Sequence, residues 1–278
     1  MIKFIYYIFF DIKASFFFKV KYFLEKIIKY PIIIINKIFK LNIKLPYLFK
    51  KDFIIENWDW KFVVKAKSWN DYMISTANEY NFREYFLKIN EWKIFLDIGS
   101  HIWKWSVMLV NKKNITSYCF EPNPETFKYL KENIDLNNLS NKVFPFNYWI
   151  SNIEWKMNFH MHPQSAMSWL ISVSDLDKFE KNNVVNVKII DIDTFICANN
   201  LQINNIDLVK IDVEGFEENV IDWMKKLLMN CSDNLKIICE ITSSDKNKII
   251  EKICSYWFNY KPIWEQDFYF FKNNFYEK

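Results

Sequence analysis

The chain has 278 residues, 51% of them apolar, and a formal net charge of +4. This length holds one large domain or two small ones, with enough apolar residues for a sizeable core. Residues 1–50 carry ten lysines against Asp11 and Glu25, a balance of +8, and the rest carries 27 basic against 31 acidic groups, a balance of −4; a mildly acidic main domain argues against nucleic acid as a partner.

Residues 1–50 read as a separate, lysine-rich helical extension. Short apolar runs such as Phe4 to Phe10 and Ile32 to Ile35 alternate with single lysines. None reaches the ~18 or more apolar residues of a membrane span, and no small-residue cleavage site follows. Two readings stand: an amphipathic helix at an anionic membrane surface, or an extension that packs on the catalytic domain or on a partner.

From residue 51 to 278 the pattern is that of one globular domain. Residues 53–75 read as a hairpin or meander, and 78–90 as a helix. Strict alternation follows: strand 93–98, helix 104–111, strand 115–121, helix 124–138, strand 142–148. An irregular polar stretch, 151–186, contains a hairpin. After it come strand 187–190, helix 191–199, strand 206–213, helix 216–229, strand 235–241 and helix 245–256. Two strands near 258–264 and 267–272 close the chain. Strands alternating with helices imply an α/β fold, a mostly parallel, doubly wound sheet with an antiparallel hairpin at one edge.

Five cysteines show no Cys-x-x-Cys spacing and read as reduced thiols of a cytoplasmic protein. His160 and His162 alternate along the chain, but two histidines at that spacing are weak evidence for zinc, and no metal is expected.

The glycine count is two and the tryptophan count twelve, whereas glycine is ordinarily ~7% of residues. Many tryptophans stand where backbone chemistry asks for glycine: Trp58, Trp60, Trp69 and Trp155 in turn-like segments, Trp92 before the first core strand, Trp257 after a helix. Trp105 alone reads as a natural aromatic. UGA means tryptophan in one genetic code and glycine in another, and translation with the wrong table produces this pattern. UGG codons at 103, 155, 223 and 257 would refute that reading.

Three segments carry chemistry. Phe95 to Ser106 reads as strand, tight turn and helix start, with Asp97 at the strand end and Gly99 in the turn. Gly99 admits close backbone approach to a ligand. His101 and Lys104 stand where a dinucleotide fingerprint needs glycine, so a pyrophosphate clamp fails. Glycine at position 103 would instead give Gly-x-x-x-Gly, which suits a cofactor without pyrophosphate. Glu121 lies 22 residues beyond Gly99, placed to bond ribose hydroxyls, and Asn123-Pro124 starts the next helix. Asn147, ending the third strand, is an adenine-edge candidate. Lys210, Asp212 and Glu214 alternate at the tip of a buried strand, an arrangement that packing alone does not explain.

These motifs resemble the FkbM-type family of S-adenosylmethionine-dependent methyltransferases. Phe95 to Ser106 is similar to its Phe-Ile-Asp-Ile-Gly-Ala-Asn-Ile-Gly-x-Tyr-Ser motif, Phe120 to Pro124 to Phe-Glu-Pro-Asn-Pro, and Lys210 to Gly215 matches Lys-Ile-Asp-Val-Glu-Gly throughout. Ser100 and His101 replace Ala and Asn, and Trp103 replaces Gly. The resemblance implies a Rossmann-like class I methyltransferase fold. It also implies S-adenosylmethionine held by Asp97, Gly99, His101, Trp103, Glu121 and Asn147, with methyl transfer to a hydroxyl of a glycan, glycolipid or small metabolite. Asp212 and Glu214 are the base candidates, Asp212 preferred, with Lys210 assisting. The alternative is a non-catalytic scaffold whose crevice is blocked by real indoles.

Overall fold

The computed structural model describes residues 7–41, 43, 48–57, 59–64, 82–102, 104–151, 157–160, 169–171, 184–243 and 245–272. It falls into two compact units, Met1–Tyr80 and Asn81–Lys278. Packing therefore divides the chain later than the charge composition, which shifts at residue 50.

In the first unit a long helix, α1 (Phe16–Phe39), starts at Ser15, whose hydroxyl accepts from the Phe18 N–H. It ends at Lys40 in a left-handed conformation. A hairpin follows, β1 (Phe53–Glu56) antiparallel to β2 (Lys61–Val64). Phe18 and Tyr22 of α1 meet Phe49 and Phe53 edge-on or tilted, with centroids 5.2–6.5 Å apart. That aromatic cluster groups the hairpin with the helix.

The second unit is built on a seven-stranded sheet. After a short helix α2 (Arg83–Phe86) come β3 (Ile94–Ile98), α3 (Lys104–Lys112), β4 (Thr116–Phe120), α4 (Pro124–Leu136) and β5 (Val143–Phe146). Four strands then form a separate sheet: β6 (Tyr148–Ile150), β7 (Met157–His160), β8 (Trp169–Ile171) and β9 (Val184–Ile190). The main sheet resumes with α5 (Ile192–Ala198), β10 (Ile206–Ile211), α6 (Glu217–Asp222), α7 (Lys225–Asn230) and β11 (Lys236–Glu240). It closes with α8 (Lys246–Cys254), β12 (Asn259–Pro262) and β13 (Asp267–Phe271).

The strand order is β12-β13-β11-β10-β3-β4-β5. β11, β10, β3, β4 and β5 are parallel, and β13 is antiparallel to both β11 and β12. This is the Rossmann-like α/β sheet with an antiparallel edge that the alternation predicts. Its central strands read as apolar runs because both faces are covered: Phe95, Leu96, Leu208, Val209, Ile211 and Ile237 have no measurable exposure. Strand order reverses between β3 and β10, and ligands bind outside the carboxyl ends of strands at such a switch point.

Three expectations need correction. The strand predicted over 142–148 is two strands in different sheets, because the chain turns off at Asn147. The strand predicted at 187–190 is the end of β9, which pairs with β6 and β7 rather than with the parallel sheet. The helix predicted over 216–229 breaks at Trp223 and Met224, whose dihedrals are not helical. A new start forms there because Asp193 accepts from the N–H groups of Lys226 and Leu227. Of the helix predicted over 78–90, residues 78–81 lie outside the described residues.

Two groups stand out among the described tryptophans, and Trp223, at φ −100°, belongs to neither. Trp60, Trp105 and Trp149 are buried, so Trp105 is not alone as a natural aromatic. Trp105 stacks on Phe86 at 4.0 Å. Trp92 and Trp257, by contrast, have φ of 62° and 66° and are 77% and 74% exposed. A left-handed backbone under a bulky side chain that packs on little is a strained arrangement that glycine would relieve. Trp58, Trp69, Trp103 and Trp155 lie outside the described residues. Replacing Trp257→Gly should raise unfolding free energy by about 1 kcal/mol, read as a higher midpoint in urea. A lower midpoint would show that the indole is supported by its surroundings.

Candidate cofactor crevice and active site

The crevice is assembled from three strand ends. At the first, β3 runs into a turn through Gly99. Its φ is 76°, and an added Cβ would lie 1.7 Å from the Asp212 carbonyl oxygen. No other residue fits while Asp212 stays in place. The turn is tied down from both sides. The N–H groups of Gly99 and Ser100 both donate to the Phe120 carbonyl, each at 3.0 Å, and the Asp212 N–H donates to the Ile98 carbonyl at 3.0 Å. Ser100 Oγ, buried in the turn, has no hydrogen-bond partner among the described residues. His101 follows in a left-handed conformation, φ 49°.

Beneath the turn lies a buried polar network. Asp97 accepts from Ser106 Oγ at 2.6 Å. Ser106 Oγ is 2.8 Å from Ser117 Oγ and accepts from Cys119 Sγ at 3.1 Å. Burial, then the Asp97 charge, pushes the Cys119 thiol up to about 12, so it is inert. Asp97 is 1% exposed. Through Ser106 it fixes the strand end.

The second strand end is β4. Glu121 follows it, 6% exposed. One carboxylate oxygen accepts from the His101 N–H at 3.0 Å and the other from the Asn123 N–H at 2.9 Å. Asn123 also caps α4, accepting from Glu125 and Thr126. Burial raises the Glu121 carboxyl to about 7, against these two hydrogen bonds, which favour the charged form. Asn147 Nδ2 donates to the Glu121 and Pro122 carbonyls at 2.8 and 2.9 Å. Both amide hydrogens are thus engaged. The side chain holds the Glu121 loop and keeps only its oxygen for another partner, which limits the adenine contact expected of it.

The third strand end is β10. Lys210 Nζ donates to the Gly99 carbonyl at 3.0 Å and to Asp212 at 2.9 Å, and lies 3.9 Å from Asp97 Oδ1. Burial alone would lower this ammonium; Asp212 and Asp97 outweigh it and hold the group above lysine's usual value. Glu214 has φ 50°, a second non-glycine residue in the left-handed region beside His101, and such outliers cluster at functional sites. Glu214 is exposed as a residue, yet desolvation of its carboxyl, then the charges of Asp212 and Glu217, raises it to about 7. Gly215 turns the chain at φ 99°, and its N–H donates to Glu217 Oε1 at 2.7 Å.

The structure adds Glu240 at the end of β11. Asp212, then burial and Asp267, push its carboxyl well above the ordinary range. The signal was in the sequence: an acid ends a buried central strand, as Glu121 and Asp212 do. Of the expected residues, Asp97, Gly99, His101, Glu121, Lys210, Asp212 and Glu214 converge. Trp103 and His162 lie outside the described residues, as does the His160 side chain. All five cysteines are free.

Residues 97–260 match the Methyltransferase FkbM domain. The chain belongs to this methyltransferase family. The cofactor that this family implies is S-adenosylmethionine. Over 162 residues it is 28% identical to the hexuronic acid methyltransferase AglP of Haloferax volcanii, covering 58% of this chain and 61% of that relative. Among solved structures it is similar to Trm5b from Pyrococcus abyssi (TM-score 0.45, 14% identity, 79% of this chain and 54% of that one). It is also similar to M. jannaschii TYW2 in complex with AdoMet (TM-score 0.43, 16% identity, 82% and 86%).

The crevice fits the cofactor. In the turn at the switch point Ser100 carries a buried hydroxyl unbonded among the described residues, and each Glu121 oxygen accepts one backbone bond with a lone pair left for ribose hydroxyls. Those bonds require the ionised carboxylate. Cofactor affinity should therefore fall as pH drops through about 7, measured by calorimetric titration. Glu121→Gln should abolish that pH dependence and weaken binding at pH 8. Because burial favours the protonated form in the folded state, the wild-type residue costs stability as pH rises from about 4.5 toward 7. Glu121→Gln, which cannot ionise, should lose this fall in stability between about pH 4.5 and 7. A variant whose cofactor affinity keeps the wild-type pH dependence would contradict this account.

Proposed function

We propose that the protein is an O-methyltransferase acting on a hydroxyl of a glycan, glycolipid or small metabolite. The observation that carries this reading is the group of acids with raised carboxyl values around Lys210 at the cofactor crevice. A hydroxyl acceptor must lose its proton as the new bond forms, and a general base is most effective when its pKa lies near the working pH. Glu214, at about 7, meets that condition. Asp212, preferred on sequence grounds, is engaged by the Lys210 ammonium at 2.9 Å. A proton arriving there would weaken that pair, so Asp212 is the better positioning group and Glu214 the better base.

S-adenosylmethionine supplies an electrophilic methyl group on a sulfonium centre. The remaining work falls to the protein. Gly99 and Glu121 hold the nucleoside end, Lys210 keeps the β3 and β10 ends in register, and Glu214 takes the acceptor proton on a carboxylate oxygen. The similarity to a hexuronic acid methyltransferase supports a sugar acceptor. The acidic balance of residues 51–278 disfavours nucleic acid. Five free thiols support a cytoplasmic setting.

The test is incubation with methyl-labelled S-adenosylmethionine and a panel of uronic-acid oligosaccharides, neutral glycans and RNA. Saturable label in a sugar is expected, and saturable label in RNA alone would overturn the assignment. With an active acceptor, turnover should rise with pH through about 7 as Glu214 ionises. Glu214→Gln should lower kcat by ~10²-fold or more with little change in cofactor affinity. Undiminished turnover in that variant would remove Glu214 as the base.

A further inference from the structure

Helix α1 has two faces of different character. Tyr22, Glu25 and Lys29 are buried. Glu25 pairs with Lys29 and also accepts from the N–H groups of Leu48 and Phe49 at 2.7 and 3.1 Å. This inner face is fixed within the first unit. The outer face is apolar and open. Phe17 is 85% exposed, Leu24 46%, Ile27 49%, Ile28 43%, Ile35 38% and Ile38 65%. At the α-helical period these six fall in a sector of roughly 100° and form a strip roughly 30 Å long. Monomeric soluble proteins rarely leave so long an apolar strip in water.

Charge decides what covers it. Residues 1–50 carry ten lysines against two acids. Glu25, the only acid in the helix, is buried against Lys29. Outside the helix, Lys13 meets Glu56, which Lys61 also approaches. Lys21 and Lys40 are exposed. A second copy of the helix would bring the same surplus of positive charge and no exposed acid to pair with it, whereas helix–helix seams are normally flanked by opposite charges. An anionic lipid surface supplies the missing negative charge and receives the apolar strip. Among the described residues no helix is long and apolar enough to cross a membrane, so the geometry is that of a helix lying in the interface.

We infer that α1 is a docking surface for an anionic phospholipid bilayer, on which it lies flat with Leu24, Ile28 and Ile35 facing the acyl chains. The inference does not depend on the acceptor assigned above. The test uses the full chain with vesicles of phosphatidylglycerol and phosphatidylcholine, and with phosphatidylcholine alone. The protein should co-sediment with the anionic vesicles, more weakly as salt rises, and poorly with the neutral ones. Leu24→Asp with Ile35→Asp should lower partitioning at least ~10-fold while thermal unfolding stays unchanged. Lys21→Glu with Lys40→Glu, which leaves the apolar strip intact, should lower it on anionic vesicles only. Failure to sediment with anionic vesicles would overturn the inference. So would sedimentation that neither pair of substitutions changes, or a dimer that the aspartate pair dissociates without any vesicle binding.

Discussion

The second unit is organised around one buried ammonium. Lys210 Nζ touches the Gly99 carbonyl and Asp212, and stands within ion-pair distance of Asp97. Those groups belong to the two strands between which the strand order reverses. The ammonium neutralises two carboxylates that could not otherwise stand together in low dielectric. It also pulls the Gly99 turn against the Asp212 backbone, closely enough that no side chain fits between them. Position 99 is glycine because the Asp212 backbone, more than a hundred residues later, passes against it.

The acids around this cation are placed in different environments, and their roles follow. Asp97 lies below the turn in a network of hydroxyl and thiol groups and serves the strand end. Glu121 is fixed by two backbone N–H groups at the mouth of the crevice. Desolvation of its carboxyl and then Asp212 push Glu214 upward, and Asp212 and then burial push Glu240. Separation of titration behaviour among neighbouring acids allows one to be a fixed charge while another exchanges a proton near neutrality.

Much of this is legible in the sequence because the rules involved are local. Apolar runs with an acid at the end identify β3, β4 and β10, with a glycine close behind in β3 and β10 and Pro122-Asn123-Pro124 behind β4. The Asn123-Pro124 pair marks a helix start in any context. What is not legible depends on partners distant in the chain. Nothing near Asn147 says that β5 and β6 join different sheets, since that is decided by where β9 pairs. The break at Trp223 depends on Asp193 reaching back to cap α7. Glu240 escapes notice because neither a glycine nor an Asn-Pro helix start follows it, only Ile241-Thr242-Ser243. Asn147 ends a strand in the expected place, but its amide is committed to the Glu121 and Pro122 carbonyls, which only the fold reveals. The tryptophan anomaly is half resolved by the same logic: Trp60 and Trp149 are packed, and Trp92 and Trp257 sit on backbone suited to glycine.

The most direct measurement is on Lys210→Met, a substitution of similar length without the charge. Unfolding free energy and S-adenosylmethionine affinity should be measured on the same preparation. Loss of the ammonium leaves Asp97 and Asp212 uncompensated and releases the Gly99 carbonyl. Stability should drop by about 3–5 kcal/mol, and cofactor affinity by about tenfold or more in the fraction that remains folded. A variant that melts with the wild type and binds the cofactor equally well would contradict the central role given to this ammonium.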